Sequence, residues 1–404
     1  MLPTGYISVG YLVLIDDIRR NRADGETVLQ ARIRPDGAGT DLSLWFRFRG
    51  LENDAPDTGG LADPFVIGMI PSCMLDGEDC RVSAPLADLL KRNLAEAQRV
   101  LAGWFDFLSA VSLVGDGADA PDAEGCAPAS VACFFSGGVD SWYSALRNQD
   151  RITHLILVRG FDIGLDNDTL WDTARTELDA AARRLGKRVI TCETNLREIA
   201  DRGRAKWGAP FAGDFWGKCL HGAALGACAA ALRGTVREVI VPATHTTATL
   251  KPWGSSPLLD KFWSGGGVRI VHDGCEANRF EKVRHISRSD IALQSLRVCY
   301  QNLAHTNCGH CEKCVRTMIA LHVCGALDRT PAFGDADPFA KLRRLDVPAH
   351  VIRHYELLLA EARSAGDMKL SRYLEVILER RFSAERALAK LVRRMRTARR
   401  REAA

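Results

Sequence analysis

Long apolar runs are missing from this sequence. The longest near the N-terminus, Tyr11 to Ile15, is far shorter than the core of a signal peptide or a membrane span. The expectation is a cytoplasmic protein with no membrane partner. Charge of one sign is missing too: 54 basic side chains against 50 acidic ones leave a formal net charge of +4 on 404 residues. So weak a field requires neither nucleic acid nor lipid, although it leaves a local nucleic-acid contact open. Cysteine, by contrast, is plentiful at thirteen residues. Without an export signal these are expected to be reduced, so a tight cluster reads as metal ligation rather than as disulfides. Scattered ones such as Cys133 and Cys228 read as small buried hydrophobes.

With 47% hydrophobic residues, the chain can bury one large core and a smaller one. Extended runs are expected over Tyr6–Ile15, Val28–Arg34 and Leu42–Phe48. In the last, Leu42, Leu44, Phe46 and Phe48 share one face with period two. A helical stripe follows in Leu86, Leu89, Leu90, Leu94, Ala97 and Val100. Residues 1–114 therefore read as a small N-terminal α+β module, and the turn-rich stretch 115–130 as a linker. Residues 131–325 alternate between strand and helix: runs at Val131–Phe135, Ile152–Val158, Val189–Cys192 and Val236–Val241 are separated by helical segments. That rhythm predicts an α/β domain with a parallel sheet and helices on both faces, which binds ligands at the carboxyl ends of its strands. Residues 326–404 read as a helical C-terminal region. They end in a basic amphipathic segment, with Arg393, Arg394, Arg396, Arg399, Arg400 and Arg401 around Leu388, Leu391, Val392 and Met395.

The strongest local signal is the strand Val131–Phe135 running into Ser136, Gly137, Gly138, Val139, Asp140 and Ser141. Glycines allow backbone N–H groups to approach an anion, and the positive end of the following helix adds attraction. Ser136 and Ser141 can donate to phosphate oxygens, and Asp140 can hold Mg²⁺. The stretch has neither the Gly-Lys-Ser/Thr ending of a Walker loop nor a Gly-x-Gly-x-x-Gly fingerprint. It resembles the Ser-Gly-Gly-x-Asp-Ser pyrophosphate loop of the N-type ATP pyrophosphatases, the adenine nucleotide alpha hydrolase-like superfamily. The resemblance implies a Rossmann-like fold that binds ATP and transfers AMP to a carboxylate or carbonyl oxygen, releasing pyrophosphate. It also implies that the turn with Phe161 and Asp162, after the second strand, carries the adenine.

Cys308, Cys311 and Cys314 stand at intervals of three, with Cys299 nine positions upstream. Four such thiols can close a tetrahedral Zn²⁺ site with no open position; an Fe–S cluster is the rival, since C-x2-C-x2-C also ligates those. His310, squeezed between two cysteines, is expected to point outward. Glycine loop, Phe-Asp turn, Cys299-Tyr300 and Cys308-Gly309-His310-Cys311-Glu312-Lys313-Cys314-Val315-Arg316 together look like the 7-cyano-7-deazaguanine synthase family, over residues 130–325. That resemblance implies the same four zinc ligands. Two features depart from the family's pattern: Arg316 follows Cys314 after one residue rather than two, and Gly164-Leu165-Asp166 replaces a Gln-Arg-His.

Lys218 and His221 precede a small-residue helix and His245 follows the fourth strand, all at the expected ligand edge. Lys218, His221 and His245 are candidates for contacting phosphate or substrate, and Arg279 and Lys282 for the departing pyrophosphate. Asp140, Ser141, Lys218 and Lys282 are thus the candidate catalytic residues, with ATP, Mg²⁺ and Zn²⁺ as the implied cofactors. The expected chemistry is an ATP-dependent ligase that adenylates a carboxylate on a small molecule or a protein, for attack by ammonia or an amine. Sulfur transfer to tRNA shares the loop but needs a reactive thiol outside the metal site, for which Cys192, Cys219 and Cys275 are available. A third class keeps the fold as a catalytically silent nucleotide-binding partner. The sequence leaves a homodimer open.

Overall fold

A computed structural model describes residues 12–35, 41–51, 60–117, 130–200, 214–265, 267–299, 301, 306–343, 345 and 347–381. The start of the expected first strand, most of the 115–130 stretch and the basic segment beyond residue 381 lie outside these. The chain forms two compact units, residues 1–277 and 278–404.

The first unit opens with β1 (Leu12–Ala23), β2 (Glu26–Pro35) and β3 (Leu42–Arg49), joined as an antiparallel meander. The β1–β2 turn is Asp24-Gly25, both at positive φ, the geometry a two-residue hairpin needs to match strand twist. In β3, Leu44, Phe46 and Phe48 are buried and Ser43 and Arg49 exposed, as the period-two pattern requires. Next come α1 (Asp63–Asp76), β4 (Asp79–Val82), α2 (Asp88–Trp104) and β5 (Leu113–Gly115). The stripe on α2 buries Leu90, Leu94, Ala97 and Leu101, whereas Leu89 faces solvent.

Then follow β6 (Val131–Phe134), α3 (Val139–Arg147), β7 (His154–Arg159), α4 (Asp168–Leu185), β8 (Arg188–Thr194), α5 (His221–Ala230), β9 (Glu238–Pro242) and β10 (Arg269–Asp273). Among the described residues ten strands form one sheet, in the order β10-β9-β6-β7-β8-β3-β2-β1-β4-β5. Strands β6 to β10 run parallel, so the architecture is α/β. The N-terminal strands do not make a sheet of their own. The outer edge of β8 has unpaired backbone groups to satisfy, and β3 pairs antiparallel with it, Phe46 opposite Thr194 and Phe48 opposite Cys192. That ladder is why the first compact unit extends from the N-terminal strands to Ala277.

Alternate residues of the central strands point to opposite faces. Ala132, Phe134, Ile156, Ile190 and Val239 join α1, α2 and α5 in one core cluster, while α3 and α4 pack on the same strands without belonging to it. Helix α1 is apolar all round and buried; a Cβ at Gly68 on it would press on the Leu196 side chain at 3.0 Å, and Gly226 on α5 leaves no room for a Cβ against Trp263. Among the described residues no helix is long and apolar enough to cross a membrane.

The second unit holds helices α6 (Arg279–Ile286), α7 (Asp290–Gln294), α8 (Glu312–Val323), α9 (Pro338–Leu342) and α10 (Ile352–Ser364), and a further helix over 368–381.

Candidate functional site

Strand order reverses between β6 and β9: the chain walks outward through β7 and β8, then returns to the other side of β6. In open parallel sheets that switch point opens the ligand crevice. The loop Ser136–Ser141 leaves β6 there. Strand β6 is buried at every position, and Phe135 packs edge-on against Trp142 with ring centroids 4.8 Å apart, clamping the turn from both ends. Gly137 has φ +75°, a conformation in which glycine carries no Cβ penalty. Gly138 is the N-cap of α3. The Gly138 N–H is 3.4 Å from Ser136 Oγ, and Ser141, 4% exposed, donates its hydroxyl to the Gly138 carbonyl at 2.9 Å. Asp140 sits half-buried in the first helical turn.

The neighbouring edge is built on Gly160, at the end of β7. A Cβ there would meet the Thr194 carbonyl oxygen at 1.9 Å, and φ is +97°. The Phe161 ring, turned inward, lies 4.8 Å from Trp216, and Arg197 binds both, donating to the Phe161 carbonyl at 2.7 Å and stacking 4.7 Å above the Trp216 ring. Asp162 is exposed.

Lys218 falls in a π-helical turn, Trp216–Leu220, that runs into α5. Such turns concentrate at functional sites. Loop 251–256 is pinned over it through Gly254 N–H to the Gly217 carbonyl and Gly222 N–H to the Gly254 carbonyl, both 2.9 Å. Trp253 on that loop meets His245 at 6.1 Å and Lys251 at 5.0 Å. His221 lies 5.3 Å from Trp216, and burial holds its imidazole below the ordinary value. Phe161, Trp216, Lys218, His221 and His245 are thus strung along one carboxyl edge. Lys282 and Arg279, the candidates for the departing pyrophosphate, belong to α6 of the second unit, and Lys282 is 1% exposed.

Two groups of this edge carry no motif in the sequence. Tyr143 of α3 donates to Glu276 at 2.6 Å, and Asn148 donates to Asp273 at 3.1 Å, tying the segment after β10 to the loop helix. His272 Nδ1 lies 2.7 Å from Asp260 Oδ2.

The second unit holds the thiol cluster. Sulfurs of Cys299, Cys308, Cys311 and Cys314 all lie within 4.8 Å of one another, with Cys299 to Cys311 and Cys308 to Cys314 both 3.9 Å. A tetrahedron with metal–sulfur bonds of about 2.3 Å has S···S edges of about 3.8 Å, so the donor set fits a metal ion such as zinc. The turn depends on Gly309, at φ +69°, where a Cβ would touch Ala336 at 2.9 Å. The Cys311 N–H donates to Cys308 Sγ at 3.2 Å. Hydrogen bonds from Cys314 and the neighbouring thiols pull Cys311 down to about 5, and the hydrogen bond to Cys311, burial and the Cys311 charge push Cys314 far up; a cation in the centre removes that conflict. His310 is exposed and donates to the Cys308 carbonyl at 2.7 Å, outside the sulfur set. Sequence reasoning missed Asn307. Its Oδ1 accepts from Val298 at 2.8 Å and Cys299 at 3.2 Å, and its Nδ2 donates to Leu296 and Ala332. It therefore holds the distant ligand Cys299 in register.

Comparison with protein-family models, curated proteins and solved structures finds no match.

Proposed function

We propose that the chain binds Mg·ATP on Ser136–Ser141 and transfers AMP to a carboxylate-type acceptor, releasing pyrophosphate, for attack by ammonia or an amine. The observation that carries this reading is the Ser-Gly-Gly-Val-Asp-Ser turn lying at the strand-order reversal of a parallel sheet. Backbone N–H groups and the first turn of α3 bind the β and γ phosphates. Asp140 holds Mg²⁺, which supplies Lewis-acid neutralisation of the leaving pyrophosphate. Adenine packs at Gly160–Phe161, beside the Arg197–Trp216 pair, and Lys218 meets charge developing on the phosphates. The protein's part is positioning and charge stabilisation rather than covalent chemistry on phosphorus. Zn²⁺ on Cys299, Cys308, Cys311 and Cys314 is structural, since four sulfurs leave no open position.

Pyrophosphate exchange into ATP, run with 7-carboxy-7-deazaguanine as acceptor, tests the reading. Exchange by the wild type and its loss in the Ser136→Ala, Asp140→Ala double variant are expected. A double variant that exchanges at the wild-type rate overturns the assignment. Sulfur transfer is disfavoured at two of its three candidate thiols, because burial drives Cys219 up to about 12 and Cys192 well above the ordinary thiol range. Cys275 is the one left partly exposed.

A further inference from the structure

Charge divides between the two units far more sharply than the near-neutral total suggests. Residues 278–404 hold 25 basic and 14 acidic side chains and stand at +11, whereas residues 1–277 hold 29 and 36 and stand at −7. An asymmetry of this size points to a polyanionic partner for the basic part.

On the helix over 368–381, Lys369, Arg372, Tyr373, Val376 and Arg380 recur at helical spacing and so share one face; all but the half-buried Tyr373 are exposed. Phe339 of α9 packs beside that face, its ring centroid 6.1 Å from that of Tyr373. Each ring carries a cation. Lys369 Nζ lies 5.5 Å from the Phe339 centroid, and the exposed Arg343 guanidinium 5.8 Å from that of Tyr373. Arg380 donates to the Arg343 carbonyl at 3.4 Å, which joins the far end of the stripe to the same cluster.

Among the described residues none of Arg343, Lys369, Arg372 and Arg380 forms a salt bridge. In the first unit Arg19, Arg32, Arg34, Arg47 and Arg49 are each paired, with Asp16, Asp17 or Glu26. The carboxylates around the cluster are engaged elsewhere. Asp367 lies 2.9 Å from His322, Asp337 accepts from the Phe339 N–H at 2.8 Å, and Glu375 binds Arg363 at 2.6 Å. Glu379 borders the stripe and takes one charge from it. Four clustered cations without internal anions repel one another, and an external polyanion relieves that repulsion. A lipid surface does not fit. The side chains that would enter a bilayer from this helix, Leu370, Leu374, Ile377 and Leu378, are buried in the fold, whereas interfacial helices keep such a face free. Three of the four cations are arginines, whose forked donors match phosphate oxygens. Lys369 to Arg380 spans about 16 Å, long enough to meet several successive phosphates.

We propose that this face, Lys369, Arg372 and Arg380 with Arg343 beside them, binds the phosphodiester backbone of a nucleic acid. The Phe339 and Tyr373 rings hold two of the cations in place before the partner arrives, which lowers the ordering cost of binding. Contacts to phosphate carry no sequence information, so the binding is sequence-independent and weakens with salt. It stands independently of the adenylation reading. The sequence beyond residue 381 adds eight basic and two acidic residues, and the test separates their share from that of the stripe.

Full-length protein is titrated into fluorescein-labelled single strands of RNA and DNA of about 20 nucleotides, and anisotropy is read between about 50 and 200 mM KCl. The wild type should bind two unrelated sequences equally. Removing four phosphate contacts in the Arg343→Ala, Lys369→Ala, Arg372→Ala, Arg380→Ala variant should flatten the slope of log K against log salt by about 3 and weaken binding about tenfold or more. Arg372→Glu alone, on an exposed side chain outside the ring contacts, should change both in the same direction, and serves if the quadruple variant fails to fold. In a variant with Arg393→Glu, Arg394→Glu and Arg396→Glu, the further loss on adding Arg372→Glu should persist. RNA or DNA bound in this way supports the proposal, and the tighter of the two names the partner. Salt slopes alike in wild type and stripe variants overturn it. So does a wild type that binds neither strand at about 50 mM KCl, or one that binds phosphatidylserine vesicles and no nucleic acid.

Discussion

The carbonyl oxygen of Thr194 occupies the space a Cβ on Gly160 would need, 1.9 Å away. The backbone of β7 thus turns directly against the end of β8, and the Phe161 edge exists only because residue 160 has no side chain. Gly160→Ala must both shift that carbonyl and hold alanine at φ +97°. The expected cost is about 2 kcal/mol or more, read as a lowered urea midpoint, together with weaker binding of a fluorescent ATP analogue. A midpoint unchanged from wild type would contradict the close approach.

Metal analysis of purified protein should find about one zinc per chain and no visible charge-transfer colour; colour and iron would instead indicate an Fe–S cluster. Cys308→Ser should lose the metal and the cooperative unfolding of the second unit. Asn307→Ala leaves every ligand in place but frees the segment that carries Cys299, so zinc affinity should fall about 10- to 100-fold in a chelator competition.

Asp63 is 1% exposed, and burial raises its carboxyl to about 7, with Arg233 pulling the other way. A carboxyl raised on folding costs stability as pH climbs. Nothing is lost below about 4, where both states are protonated; the penalty grows to about pH 7 and then levels at about 4 kcal/mol. Asp63→Asn should therefore gain on the wild type across that window and keep a constant lead above it. Equal urea midpoints at pH 4.5 and pH 8 would count against this.

His272 gives the opposite sign. Its folded value of about 9 exceeds the unfolded one, so its contribution is complete below about 6.5 and disappears as pH rises through 9, about 3 kcal/mol in all. The stability gap between wild type and His272→Gln should be widest near pH 6 and shrink by pH 9.5. Paired denaturant titrations at those two values measure it.

Signals carried by adjacent residues were legible before folding. The strand, glycine pair and helix around Ser136–Ser141 are contiguous, and so is the thiol cluster apart from Cys299. Each specifies its own turn through glycine at positive φ and a buried flanking strand or helix. The β3 pattern was readable for the same reason, since alternation records which face is buried. Where burial is uniform, periodicity disappears: α1, apolar all round and interrupted by Pro71, carried no helical stripe, and β10 was too short to stand out.

Only the tertiary structure decided which edges and which distant side chains meet. The pairing of β3 with β8 made one sheet of what composition divides at 115–130, because a strand edge accepts any partner with the right register and the sequence does not name it. Asp260 and His272 come together because loop 251–263 folds back onto β10, and Asn307 reaches the Cys299 N–H eight positions away. Long-range contacts of this kind depend on how the chain closes on itself, and no local spacing encodes that closure.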